Sequence, residues 1–296
     1  MRPGDILQSY SIMMLLGLAL GLLSGGFPAY TKEISMASLA ILMTLSLSNI
    51  RLGEAKGREH ADHALRALVV NYGILTAVIL LIGLLFSEEY RWGWVLMAAA
   101  PSAISVVPFT TILGGRTTKA LFATAANYLA ALVLMPLLTL ALIGSAVSTT
   151  SLVYSLLLLI VLPMLASRAV MRMKIGKKAN TAMINLSFAV LIFAVTGANR
   201  EAFVGDVWIV VAISLGCLAR TFGTGLGTEF VLRRLGVERS TRVTYVLFAS
   251  YKNLGLTATL AIALFQPVVA VPATICIVFE VVWIIFLVRY YRGAPG

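Results

Sequence analysis

The sequence predicts an all-α polytopic membrane protein: ten transmembrane helices in an inverted repeat of five plus five. Three observations predict it. First, 60% of the 296 residues are hydrophobic and only 12% are charged, with a mean hydropathy of +0.96. A soluble chain of this size cannot hide so much apolar surface. Second, apolar runs of membrane-crossing length follow one another with short connections, which makes neighbouring spans antiparallel. Third, basic residues cluster in alternate connections. The net charge of +11 therefore reads as juxtamembrane Lys and Arg, and does not point to nucleic acid.

The spans fall near residues 9–26, 34–51, 65–86, 92–113, 118–144, 150–171, 180–198, 205–231, 240–266 and 268–290. The first apolar stretch merges into a full-length span, so it reads as a span and not as a cleavable leader. The largest connection, Arg51 to Arg66, holds Glu54, Lys56, Arg58, Glu59 and Asp62. With both termini in the cytoplasm, the cytoplasmic side carries Arg2, Arg51, Lys56, Arg58, Arg66, Arg116, Lys119, Arg168, Arg172, Lys174, Lys177, Lys178, Arg233, Arg234, Arg239, Arg242, Arg289 and Arg292. The other side has Lys32, Arg91 and Arg200. Eighteen against three sets the orientation and supports the span count, because one missed helix would scramble the downstream bias. The expected location is the plasma membrane. Residues 1–296 read as one membrane domain, with repeats over about 9–144 and 150–290.

The ninth span, Tyr245 to Phe265, holds Ser250, Tyr251, Lys252, Asn253 and Gly255 in its middle. A lysine at that depth is costly. Snorkelling to an interface is the plain alternative, but Lys252 lies well inside the run. A broken helix lining a polar cavity fits better. Offset by 151 residues, Trp94 to Ser102 aligns with Tyr245 to Asn253. An odd number of spans per repeat inverts the second half. In the fourth span, Pro101 and Pro108 remove backbone donors and clash with the preceding turn, with Ser102 and Ser105 between them. In the ninth, the polar run and Gly255 weaken the helix. Two interruptions at equivalent places predict a pair of discontinuous helices crossing at the bilayer midplane.

Three ionisable residues fall inside spans: Arg220, Lys252 and Glu280. Each needs a partner or water, and the expectation is a polar network that joins all three. Glu280 reads either as a buried salt bridge to Lys252 or Arg220, or as a proton carrier. Cys217 and Cys276 lie in apolar runs and read as core residues. His60 and His63, near Asp62, do not read as a metal site. Asn127, Asn185 and Asn199 read as helix–helix hydrogen bonds. No zinc motif, Ser-Lys or Asp-Asp pair, or nucleotide loop is present, so an enzyme is not expected, and no cofactor.

The chain resembles the bile acid:sodium symporter family and its wider superfamily of bile acid, arsenite and auxin carriers. The likeness is sharpest in Pro101-Ser102-Ala103-Ile104-Ser105-Val106-Val107 and in Phe248-Ala249-Ser250-Tyr251-Lys252-Asn253-Leu254-Gly255-Leu256. The family shows Pro-Gly-Gly-x-x-Ser-Asn and Glu-x-Gly-x-Gln-Asn-x-Gly-Leu at these places, and its third-span glutamine falls on Asn71. The resemblance implies a panel of spans one, two, six and seven, and a core of spans three, four, five, eight, nine and ten. It implies organic anions as substrates, bound near the crossing by Asn253, Thr110, Ser102, Ser105 and Asn71, and driven by sodium. The departures matter. The family's sodium-binding glutamate is Phe248 here, its glutamine is Lys252, and its Ser-Asn pair is Val106 and Val107. Aliphatic and phenyl side chains offer a hard cation no oxygen. The expectation is that the Lys252 ammonium takes over the charge role of sodium, and that no metal is bound. The leading reading is a secondary carrier of a small organic anion, as uniporter, exchanger or proton-coupled carrier. The alternatives are an auxin- or arsenite-type efflux carrier and a membrane receptor that kept the fold without transport.

Overall fold

The computed structural model describes residues 3–49, 58–173 and 175–293. Arg2, Arg51, Glu54, Lys56 and Lys174 lie outside the described residues, as do the side chains of Arg58, Glu59 and His60. The described residues form helices joined by short connections, with no strand among them. After a helical turn at Pro3–Gln8, the order is α1 (Tyr10–Ser24), α2 (Thr31–Ser48), α3 (Ala61–Gly83), α4 (Glu88–Ala99), α5 (Val106–Ile112), α6 (Thr117–Ala146), α7 (Thr149–Arg172), α8 (Lys177–Ala198), α9 (Val207–Arg234), α10 (Arg239–Ser250), α11 (Leu254–Leu264) and α12 (Pro267–Arg292).

Among the described residues, seven segments are long and apolar enough to cross a membrane: α3, α6, α7, α8, α9, the α10–α11 pair and α12. The other three expected spans depart from that pattern for identifiable reasons. α1 has 15 residues, about 22 Å of helix against a hydrocarbon core of about 30 Å. α2 carries Lys32, Glu33 and several serines along its 18 residues. The expected span 92–113 is two pieces, α4 and α5, with no helix over Pro101–Ala103. The expected third span starts earlier than the sequence pattern suggests. Its helix runs from Arg58, because Arg, Glu, His and Ala are adequate helix formers even where they are too polar to mark a span.

Packing sorts the helices. α1 lies along α8, and α2 along both α7 and α8. α3 lies along α4 and α6, while α9 packs on α10 and α12. The α1–α8 seam is tight because it is built from glycines. A Cβ at Gly197 would meet Gly26 Cα at 2.2 Å, and one at Gly17 would meet Ala189 O at 2.5 Å. Small residues that let backbones approach are the usual device of helix packing in lipid, where no hydrophobic force separates helix from tail.

Asn185 does bond across helices, from Nδ2 to Leu7 O at 2.8 Å. Asn127 and Asn199 instead donate within their own helices, to Ala123 O and Val195 O. His63 sits on helix, not loop. Its ring stacks on Tyr245, with Nδ1 2.6 Å from the Tyr245 hydroxyl and Nε2 2.6 Å from Lys119 Nζ.

Candidate functional site

The site forms where the two interrupted helices meet. α4 ends at Ala99 and α10 at Ser250, and each leaves C-terminal carbonyls without intrahelical donors. Buried in a membrane protein, these groups must be satisfied from elsewhere. The backbone N–H of Asn253 donates to Pro101 O at 2.8 Å, which ties one break to the other.

Lys252 serves the end of α4. Its side chain is fully buried. Nζ lies 2.9 Å from both Ala98 O and Ala100 O, 3.0 Å from Thr76 Oγ1 and 3.1 Å from Asn71 Oδ1. Tyr72 presents its ring face at 4.5 Å, a further favourable contact for a cation. A positive charge at a helix C-terminus is stabilised by the carbonyl dipoles.

Arg220 serves the end of α10. It lies in a π-helical stretch, Ala219–Gly223, a local widening of the kind found at functional sites. NH1 donates to Ser250 O at 2.9 Å, NH2 to Glu280 Oε1 at 2.5 Å, and Nε to Cys276 Sγ at 2.9 Å. Thr224 Oγ1 donates to Ala249 O at 2.6 Å. Asn71, on a second π-helical stretch at Val69–Leu75, donates to Phe248 O at 2.9 Å and Tyr251 O at 3.2 Å. Its amide thus bridges the two systems, since its oxygen accepts from Lys252.

Arg220 and Glu280 are therefore paired, but Lys252 joins them only through its backbone. Its N–H donates to Glu280 Oε1 at 3.1 Å, while its ammonium turns to the four oxygens around α4. Cys276, expected as inert core, is one hydrogen bond from Arg220.

Beside the breaks lies a cavity of about 700 Å³. Its floor holds Ser105, Lys252, Asn253, Gly255 and Glu280; its walls include Tyr10, Phe109, Ile184 and Phe188; Gln8, Asn49 and Lys177 lie towards its mouth. Tyr10 stacks on Phe188 at 5.1 Å and meets Phe109 edge-on at 6.2 Å. Asn253 caps α11, accepting from Leu256 N at 3.0 Å on Oδ1. Its Nδ2 donates to the Tyr128 hydroxyl at 2.6 Å and approaches Met43 Sδ at 3.5 Å.

Of the residues expected to touch substrate, Asn253 and Ser105 line the cavity; Asn71, Ser102 and Thr110 do not. Thr110 donates to its own helix at Val106 O, 2.7 Å away. Ser102 is buried, and its hydroxyl finds no partner among the described residues. Pro108 and Gly255 line the cavity too, but each sits inside the helix that follows its break. Pro108 is third in α5 and Gly255 second in α11, where the first-turn N–H groups have no intrahelical acceptor to lose.

Thr76, Tyr128 and Trp283, which donates to Ser250 Oγ at 2.9 Å, carry no mark in the sequence as site residues, and Cys276 reads there only as core. The nearest thing to a signal for Thr76 is its place five residues after Asn71 on a span. For a sodium ion the fit is poor. Phe248 is a buried phenyl, and Val106 and Val107 are aliphatic. The oxygens suited to a cation, on Asn71, Thr76, Ala98 and Ala100, already surround an ammonium.

No curated protein matches the chain. A model of the SBF-like CPA transporter family matches residues 25–292, nearly the whole of the interrupted-helix architecture just described, and the chain belongs to that family.

Proposed function

We propose that this protein is a secondary carrier of a small organic anion, bile-acid-like, pantoate-like or keto-acid-like, which works by alternating access without sodium. The observation that carries this reading is the Lys252 ammonium, fully buried in a shell of four oxygens at the end of α4. It fills the role of a bound cation and cannot leave with the substrate. A sodium ion 4 Å away would be repelled by about 4 kcal/mol at an effective dielectric of 20. Arg220 plays the matching part at the end of α10. The two cations against the single carboxylate of Glu280 leave a positive balance that favours an anion. The positive end of the α11 helix dipole adds to it.

The architecture that goes with this reading has ten spans, with α1, α2 and the α4–α5 pair completing the seven that qualify by length and apolarity. It is an inverted repeat of five plus five, with the interrupted helices crossing. Two of the three π-helical stretches among the described residues, Val69–Leu75 and Ala219–Gly223, support the repeat, since their starts lie 150 residues apart, close to the 151-residue offset of the two breaks. α1, α2, α7 and α8 would form the panel and the remaining helices the core. The cavity then lies at the seam, where one group can rock against the other. Its size is that of a small-molecule site. Its aromatic walls and polar floor suit an amphipathic anion, with Asn253 and Ser105 in contact, Asn71 holding Lys252 and the end of α10, and Ser102 and Thr110 buried outside the cavity lining. Both termini and the Lys177 end of the cavity would face the cytoplasm, with the carrier in the plasma membrane.

The test is counterflow in proteoliposomes with labelled cholate, pantoate and pyruvate, in sodium and in choline buffers. Exchange of at least one anion at equal rates in the two buffers is expected. Uptake that rises steeply with sodium would refute the role given to Lys252, and saturable binding without flux would show a receptor.

A further inference from the structure

An anion in this cavity has to lie beside a carboxylate. Glu280 lines the floor with its side chain 11% exposed, on the same surface as Asn253 and Ser105. Like charges in contact inside a low-dielectric site repel strongly. Arg220 offsets the charge but does not line the cavity, so it stands behind Glu280 and not between Glu280 and a ligand.

The two carboxylate oxygens are used unequally. Oε1 accepts from Arg220 NH2 and from the Lys252 backbone N–H. Oε2 takes no hydrogen bond from the described residues. A proton on Oε2 would leave both contacts of Oε1 in place, remove the repulsion and turn Oε2 into a donor for an anionic oxygen.

The groups that face Glu280 from the elements around it do not replace it in this task. Arg220 and Lys252 are the two cations. The Lys252 ammonium is engaged by four acceptors, none of them a carboxylate. Tyr10 faces it from α1. The Tyr251 hydroxyl donates to the Glu280 backbone carbonyl at 2.8 Å. Cys217 lies on α9, bonded towards Pro272 O, and Cys276 is one turn earlier on α12, held by Arg220.

We infer that Glu280 takes up the proton that accompanies the anion: one proton moves from water to Oε2 for each monovalent anion bound. Anion and proton then cross together, in the same direction and without net charge. This rests on the anion-carrier reading above and supplies the coupling that reading leaves open.

The test uses the full chain in lipid nanodiscs, with pyruvate and pantoate as probes, both fully ionised above pH 6. The apparent Kd should rise about tenfold per pH unit on the alkaline side. In weakly buffered solution, an indicator dye should report uptake of about one proton per anion bound. Glu280→Gln should remove both the slope and the proton uptake. Should that variant not fold, Glu280→Asp serves instead, with uptake retained and the midpoint of the pH profile shifted. A purely structural role would lower the melting temperature of the variants but leave the slope and the proton count in place, and that result would overturn the inference. Wild-type binding that is flat with pH, or takes up no proton, overturns it too and leaves the carrier reading standing. If neither probe binds at any pH, the carrier reading fails and the inference falls with it.

Discussion

Lys252 sets two costs against each other. Burying an ammonium without a carboxylate partner costs several kcal/mol, and four oxygens and a Tyr72 ring face offset that cost. Replacing Lys252 with Met removes the buried charge but strips Ala100 O and Asn71 Oδ1 of a donor, at about 1–3 kcal/mol each. The terms oppose, so Lys252→Met should shift the melting temperature by only a few degrees while transport is lost at least 100-fold. Lys252→Arg should be the worse protein. A planar fork does not fit a compact shell built for a point charge, so its melting temperature should fall clearly in the same scan. Equal stability of the Arg variant would mean that the shell is looser than its distances imply.

Helix ends carry the energetics at the next scale. The carbonyls at the C-terminal end of α10 are taken by four hydrogen bonds from three side chains on two other helices: Asn71, which makes two of them, Thr224 and Arg220. Asn253 caps the start of α11. Asn253→Ala should cost about 1 kcal/mol from the lost cap, with a further loss because the Tyr128 hydroxyl gives up its partner; anion binding should weaken in parallel, read by a melt and a binding isotherm on one sample. Gly225 reports on the same structure from a distance. A Cβ there would lie 2.3 Å from Trp283 Cζ2, and Trp283 holds Ser250 through its indole N–H. A rigid indole yields only by moving, so Gly225→Ala should destabilise by about 1–3 kcal/mol and lower transport although it touches no ligand. A neutral Gly225→Ala would show that Trp283 can move without disturbing the break.

For the whole molecule, the question is which side the cavity faces. Its mouth lies by Gln8, Asn49 and Lys177. At the far end of α2, Lys32 Nζ donates to Ala263 O at 2.8 Å and ties α2 to the last turn of α11. This pattern fits a conformation open towards the basic side, proposed above as cytoplasmic. Both native cysteines are fully buried, so a single new thiol can be read alone. Ser105→Cys should react with a membrane-impermeant thiol reagent in inside-out vesicles, and at least tenfold more slowly in right-side-out ones. Faster labelling from outside would reverse the orientation drawn from the basic residues.

The sequence by itself determined the helical membrane class, the places where two helices stop and the need of Arg220 for a partner. Each of these follows from local physics. Apolar runs require a bilayer, a proline removes a donor, and a buried charge must be compensated whatever surrounds it. The tertiary structure decided who compensates whom. Lys252 turned from the expected acid to backbone carbonyls at Ala98 and Ala100, which any side chain at those positions would present equally, so no residue pattern marks them. Asn71 and Thr110 lie outside the cavity lining, because helix rotation set where they point. Cys276 and Tyr128 entered the polar network through contacts 56 and 125 residues away in sequence, and separations of that kind are fixed only when the helices pack.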